Sequence, residues 1–447
     1  MKYHINHLGG EQGVTGACHL LQMKGAQIMV DCGLNQGADR LTPMSQWPVR
    51  PADIDYLFLT HAHLDHVGRL PDLIEAGFKG EVLCTHPTKA LLMPLLSDAL
   101  DFRALSQKEK GRILQSIKRI SWGFEYGQRF ELAQGIAFRF GNAGHILGSS
   151  FILFESQHPH WSIVFSGDIG ATHTPIIPDP DPVPQCNFLV LESTYGDRLH
   201  EDRRTRIQRL GQALTNALGD GGKVYIPSFA LGRTQELLYE MDRLFTEPKY
   251  DKLFPELAAG PKIPVFIDSP LGITITSIYS KYHSYWNRKS KHLKAKGDHP
   301  FDFKHLFAVK SHHEHQRLLE ISGPAVIIAG SGMCTGGRIV NHFEKGLSDP
   351  RNDILMVGYQ GKGTPGRQLI DISRSNGGHV RLNGKKIKVE AKIKVMGGYS
   401  AHADQADLMN WVASMPGCPG KIKLVHGESD AKDKLAVSLQ RRGYQVV

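Results

Sequence analysis

The chain has 447 residues, 41% hydrophobic and 22% charged, which is ordinary for a soluble protein and enough for one or two large α/β units. Its 53 Lys and Arg exceed its 44 Asp and Glu by nine, a surplus that favours anionic partners, nucleic acid being the commonest. The six cysteines form no Cys-x-x-Cys pair, the first residues lack the apolar stretch of a signal peptide, and no apolar run nears the ~20 residues that span a bilayer; a disulfide framework and a membrane protein are excluded in favour of a soluble, cytoplasmic chain.

In chain order, Ile28-Met-Val-Asp31-Cys-Gly33 reads as a buried strand ending on an aspartate and a glycine turn, where Asp31 can orient a neighbouring loop or simply form the turn. Tyr56-Leu-Phe-Leu-Thr-His61-Ala-His63-Leu-Asp65-His66 then runs an apolar strand into four coordinating side chains within six residues. In an extended segment His61 and His63 project to one side and can share an ion, while Asp65 and His66 are aimed at a second. Imidazole and carboxylate suit zinc, with manganese the other candidate. A short helix is expected over 67–77 and a longer amphipathic one over 91–106. The segments ending at His145 and at Asp168 repeat the strand–turn–ligand pattern and supply a third histidine and a carboxylate able to bridge two ions.

Residues 174–185 carry five prolines and read as a long extended loop. From about 205 helices and strands alternate, which predicts a parallel sheet flanked by helices over 205–385. Strand, turn and ligand then recur together, with Asp404 the N-cap of a helix over 405–415 and a strand ending at His426. The expected organisation is therefore a core from 1–204 and 386–447, interrupted by an inserted domain. Ser311-His-His-Glu-His315 has enough ligands to suggest a further metal, but it opens an amphipathic helix whose side chains diverge, so a solvated face is expected.

The set His61-Ala-His63-Leu-Asp65-His66, His145 and Asp168 resembles the core motifs of the metallo-β-lactamase superfamily. Glu192-Ser-Thr, Ser400-Ala-His402-Ala-Asp404 and Val425-His426-Gly-Glu resemble the additional motifs of its β-CASP branch, and Pro227-Ser-Phe-Ala-Leu-Gly-Arg233 and Ser331-Gly-Met-Cys-Thr-Gly-Gly-Arg338 resemble segments of its inserted domain. That branch includes the endonuclease subunit of the cleavage and polyadenylation specificity factor and ribonuclease J. The resemblance implies an αββα sandwich with an inserted β-CASP domain. It also implies His61, His63 and His145 on one ion, Asp65, His66 and His426 on the other, and Asp168 bridging. A histidine at 426 resembles RNA-cleaving members. Pro365 stands where relatives often have leucine, and the KH and C-terminal dimerisation regions of some relatives have no counterpart, so a homodimer is left open.

The implied activity is that of a two-zinc ribonuclease, cutting single-stranded RNA in a cleft between domains, from within or from a 5′ end. Water activated by the ions attacks phosphorus, Asp65 and Asp168 lie where its proton can go, and His402, kept charged by Glu192, protonates the leaving oxygen; a metal-ligand or packing role is the alternative for His402. Ser331, Gly332, Met333, Gly336 and Arg338 form a candidate phosphate cradle, with Lys362, Arg367 and Arg233 as further contacts, although glycine turns after strands also serve steric ends. The basic run 289–296 is surface that can also steer RNA. The rivals are a thioester or lactone hydrolase, a catalytically dead RNA-binding scaffold, and a DNA nuclease of the same family.

Overall fold

The strands β1 (His4–Gly9), β2 (Cys18–Met23) and β3 (Ala26–Val30) pair antiparallel in succession, and β4 (Tyr56–Phe58), β5 (Glu81–Thr85) and β6 (Ser121–Phe124) add in parallel to complete six strands. A second six-stranded sheet begins with β7 (Arg129–Glu131), β8 (Ile136–Asn142), β9 (Ser150–Gln157) and β10 (His160–Phe165), all antiparallel. It continues in parallel through β11 (Phe188–Glu192) to the C-terminal β20 (Lys421–Val425). This computed structural model describes residues 3–23, 25–35, 42–132, 135–157, 160–259, 263–375 and 377–447.

Alternation decides how the two sheets stack. Leu21, Ile28, Val30, Phe58 and Leu83 of the first pack against Phe138, Phe140, Phe154, Ile163 and Phe165 of the second, with Phe58 edge-on to Phe154 at 4.7 Å between ring centres. The outer face of the first sheet is covered by helices that include His86–Asp101 and Gln107–Ile120, and that of the second by Gln405–Ala413 and Ser429–Arg441. The layers are thus α, β, β, α. The helix expected over 91–106 starts earlier, at His86, because Thr85 accepts a hydrogen bond from the Thr88 N–H and Pro87 fits the first turn. The helix expected over 67–77 is two short pieces, Leu64–Val67 and Leu70–Glu75, so Asp65 and His66 themselves lie in a helical turn. Asp404 caps the helix Gln405–Ala413 by accepting from the Asp407 N–H at 2.9 Å.

These elements form one compact unit, Met1–Thr172, Ile177–Leu199 and Ala401–Val447; the other comprises His173–Ile176 and His200–Ser400. In the second unit β12 (Lys223–Pro227), β13 (Val265–Asp268), β14 (Leu306–Ala308), β15 (Ala325–Ala329), β16 (Asp353–Met356) and β19 (Lys392–Val395) form an all-parallel sheet in the order β14-β13-β15-β12-β16-β19. A separate hairpin joins β17 (Gly378–Leu382) to β18 (Lys385–Val389). Residues 386–400, assigned from the sequence to the returning core, lie with this unit because β19 pairs with β16 from Asp353↔Lys392 to Met356↔Val395. Thr174, Pro175 and Ile176 of the proline-rich segment also belong here, held by the Asn287 N–H on the Ile176 carbonyl and the Ser290 hydroxyl on that of Pro175.

Candidate metal centre

The ligand-bearing turn 61–66 is clamped by backbone. The N–H groups of Ala17, Cys32 and Leu34 donate to the carbonyls of Asp65, His66 and Leu64 at 2.8, 2.7 and 2.9 Å. So close an approach needs glycine at 33, where an added Cβ would lie 1.6 Å from the Asp65 carbonyl oxygen. Asp31, with φ 59°, turns its carboxylate back to accept from the Thr60 N–H at 2.8 Å, the Thr60 hydroxyl at 2.7 Å and His66 Nδ1 at 2.7 Å. His66 Nδ1 is thereby held on Asp31, and Nε2 faces inward.

The remaining side chains sit just beyond neighbouring strand ends of the second sheet. Asp168 follows β10, Glu192 ends β11 and His426 follows β20 with φ 51°; these three strands are adjacent and parallel, so their C-terminal ends lie side by side. His145 stands in the turn after β8, its N–H donating to the Ser149 hydroxyl at 2.9 Å. His402 is brought in by an antiparallel bridge to Gly170, flanked by Ala403 N–H to the Ile169 carbonyl at 2.8 Å.

His61, His63, His145 and Asp168 place one ligand atom each within 4.8 Å of one another, and so do Asp65, His66 and His426. His63 Nδ1 is 3.0 Å from His61 Nε2 and 3.2 Å from His145 Nε2. Asp168 divides its oxygens: Oδ2 is 3.5 Å from His61 Nε2 and 3.7 Å from His145 Nε2, while Oδ1 is 3.3 Å from His66 Nε2 and 3.5 Å from His426 Nδ1. One ring nitrogen cannot hydrogen-bond two others at once, so these contacts do not make a satisfied polar core. Tetrahedral zinc with bonds of about 2.0–2.1 Å sets its ligands about 3.3 Å apart, close to the first group's spacing. In the second group His66 Nε2, Asp168 Oδ1 and His426 Nε2 are buried without hydrogen-bond partners. Both donor sets fit divalent cations.

Against burial, Asp168 and Asp31 hold His66 well above the usual histidine range and Asp168 and Asp65 raise His426, so a cation bound there would displace protons from these rings. Burial pushes the Asp168 carboxyl up, but His426, His66, His61 and His402 outweigh it and hold it well below the carboxylate range. His61 is lowered well below its ordinary value by burial and then by His66, so it stands neutral, as a ligand must. His402 Nδ1 lies 3.3 Å from Glu192 Oε1 and 3.8 Å from Asp168 Oδ2. Burial opposes its charge, yet Glu192 and Asp168 raise it to about 9. The Glu192 carboxylate also accepts from the N–H groups of Ile169 and Thr194, which fixes it beside the imidazole.

Several side chains singled out from sequence lie elsewhere. All of the phosphate-binding candidates are in the second unit. Among them, Arg233 is buried against Glu236 at 2.5 Å, and Arg338 donates to Asp268 at 2.6 Å and to the Val309 carbonyl at 2.9 Å. In the loop after β15 the N–H groups of Ser331, Cys334 and Thr335 already bond within the loop, and Gly332 packs under Phe229. Met333 and Gly336 are half-buried; Lys362 is exposed, as is Arg367, which pairs with Asp371 at 3.1 Å. The helix His312–Leu319 forms with a Ser311/Glu314 capping box, but His315 does not face solvent: it is buried, donating to Asp268 at 2.6 Å beside His342 at 2.7 Å. Sequence reasoning missed Thr60 and Thr194. The Thr194 hydroxyl lies 3.1 Å from both the His426 carbonyl and Nδ1; having one proton to give the carbonyl, it accepts from Nδ1 and frees Nε2. A hydroxyl beside a motif residue is the signal that could have marked each.

Comparison with known proteins covers nearly the whole chain. Residues 12–228 match the metallo-beta-lactamase superfamily, 234–369 the Beta-Casp domain, and 386–447 the Zn-dependent metallo-hydrolase RNA specificity domain. The chain is 34% identical over 441 residues to ribonuclease TTHA0252 of Thermus thermophilus, covering 98% of itself and 96% of that protein. It is 32% identical to the transcription termination factor FttA of Methanosarcina mazei, covering 69% of that protein. In structure it resembles a protein of unknown function from Enterococcus faecalis V583, with a TM-score of 0.56 at 13% identity, over 100% of this chain and 98% of that one.

Proposed function

This chain belongs to the Beta-Casp branch of the metallo-beta-lactamase superfamily, and on that premise we propose that it hydrolyses phosphodiester bonds of single-stranded RNA with two zinc ions. The observation that carries the proposal is the arrangement around Asp168, whose two oxygens face two separate ligand groups with the His402 imidazole 3.8 Å away. His61, His63, His145 and Asp168 would hold one cation, and Asp65, His66 and His426, again with Asp168, would hold the second. When bound, such a pair supplies water activated at neutral pH and neutralises charge gathering on the phosphate oxygens.

The chain's own residues do the rest. Asp31 and Thr194 fix the His66 and His426 rings so that their Nε2 lone pairs face the centre. His402 holds a proton that Glu192 stabilises, and delivers it to the departing sugar oxygen, a poor leaving group without it. RNA as substrate is supported by the name of the ribonuclease relative and by the surplus of basic residues.

The test is His402→Ala in zinc-loaded protein, assayed on 5′-labelled and internally labelled RNA and on a p-nitrophenyl phosphodiester. Loss of the general acid lowers RNA cleavage by roughly 10²–10⁴-fold and leaves the ester, whose phenolate departs unaided, near wild type. Equal losses on both substrates, or wild-type protein that cuts thioesters or DNA in preference to RNA, would sink the reading. The two labels also separate internal cleavage from 5′-end degradation.

A further inference from the structure

The hairpin β17–β18 has two unlike faces. Val380, Leu382, Ile387 and Val389 are buried with Leu369 and Ile370 in the core of the second unit. His379, Arg381, Lys386 and Lys388 are exposed on the other face. Asn383 and Gly384 connect the strands at φ 46° and 79°, a two-residue turn of the kind that matches strand twist and lets Leu382 face Lys385 directly. Turn and core together lock the register, since a slip of one residue would expose the four apolar side chains.

That register sets Arg381 opposite Lys386 and His379 opposite Lys388. Basic side chains directly opposite one another weaken a hairpin, and a different sequence on this free face would avoid it. Neighbouring carboxylates relieve only part of the repulsion. Lys388 pairs with Glu390 and Lys385 with Glu344, both at 2.5 Å, whereas Arg381 and Lys386 have no carboxylate at ion-pair distance among the described residues. Same-face positions along a strand are about 6.8 Å apart, comparable to successive phosphates on an extended nucleic-acid strand. Of the four exposed side chains on this face three are cationic chains and His379 alone carries a ring, so the face suits backbone charge more than bases.

We propose that the Arg381/Lys386 face of this hairpin binds the phosphate backbone of single-stranded RNA, as a contact additional to the metal centre. The inference rests on the ribonuclease reading. It is tested with the full chain carrying His402→Ala, so that RNA survives the measurement, by following anisotropy of a fluorescently labelled single-stranded RNA across a salt series. Two lost phosphate contacts make the slope of log K against log salt shallower by about 1.4, at about 0.7 per contact, in an added Arg381→Gln/Lys386→Gln pair. The melting temperature of that variant stays level or rises, because the opposed charges are gone. An unchanged slope while the parent binds RNA overturns the inference and spares the ribonuclease reading. Charge-dependent binding of polyglutamate but not RNA would overturn it in favour of an acidic protein partner. RNA binding absent from the parent itself would remove the ribonuclease reading and the hairpin's role together.

Discussion

The protein buries histidines against an aspartate twice, and the two clusters behave oppositely. Around Asp168 the ring nitrogens meet one another at 3.0–3.2 Å and the carboxylate at 3.3–3.7 Å, with polar atoms left unsatisfied. Around Asp268, His315 and His342 close on one oxygen at 2.6 and 2.7 Å, Arg338 takes the other at 2.6 Å, and Asn341 satisfies the far nitrogen of His315 at 3.0 Å. The second set has the residue types and proximity of a metal site, yet its distances are those of N–H···O bonds and its charge is already balanced by arginine. What separates a place for a cation from a structural hub is the bonding left over, not the inventory of ligands.

The contrast breaks most sharply at the two aspartates' neighbours. Asp268→Ala strands the Arg338 charge in a mostly buried setting and destabilises the second unit by about 3–5 kcal/mol in a urea titration, with zinc content unchanged. A loss of bound zinc instead would make the hub a third metal site. Asp31→Asn weakens the hold on the His66 ring and lowers zinc affinity by about 10–100-fold in competition with a chelator, with little change in the stability of metal-free protein. The smallest effect is on acid stability. Burial lowers His342 from its ordinary 6.5, and the Asp268 carboxyl, which burial pushes up, is brought below 3.8 by His342, Arg338 and His315. Both hold fewer protons folded than unfolded, so stability declines as pH falls through the histidine range and again below 3.8. Asp268→Asn flattens the lower limb in circular-dichroism titrations; an unaltered limb would mean other carboxylates govern it.

The first loop was legible because four of its ligands lie within six residues, where strand geometry alone says what they can share. His402 and His426 carry no such local sign. They became readable only through their motifs, since Glu192 and His402 are 210 residues apart and meet through strand order. The Asp268 hub was invisible for the same reason, its histidines standing 47 and 74 residues away. Arg233 and Arg338 looked available because a sequence shows a cation without showing the carboxylate that the fold sets against it. The helix at 86–101 was misplaced by a capping threonine that periodicity does not weigh.

One consequence follows from the placement of β20 beside β11. His402 and His426 lie beyond position 400 in the sequence, whereas the His61–His66 turn, His145 and Asp168 lie before position 170. A chain in which β20 has not docked on β11 lacks His426 at the candidate centre, however well the His61–His66 turn, His145 and Asp168 have formed. Assembly of the candidate centre is thereby tied to the folding of the first unit as a whole, not to any one loop of it.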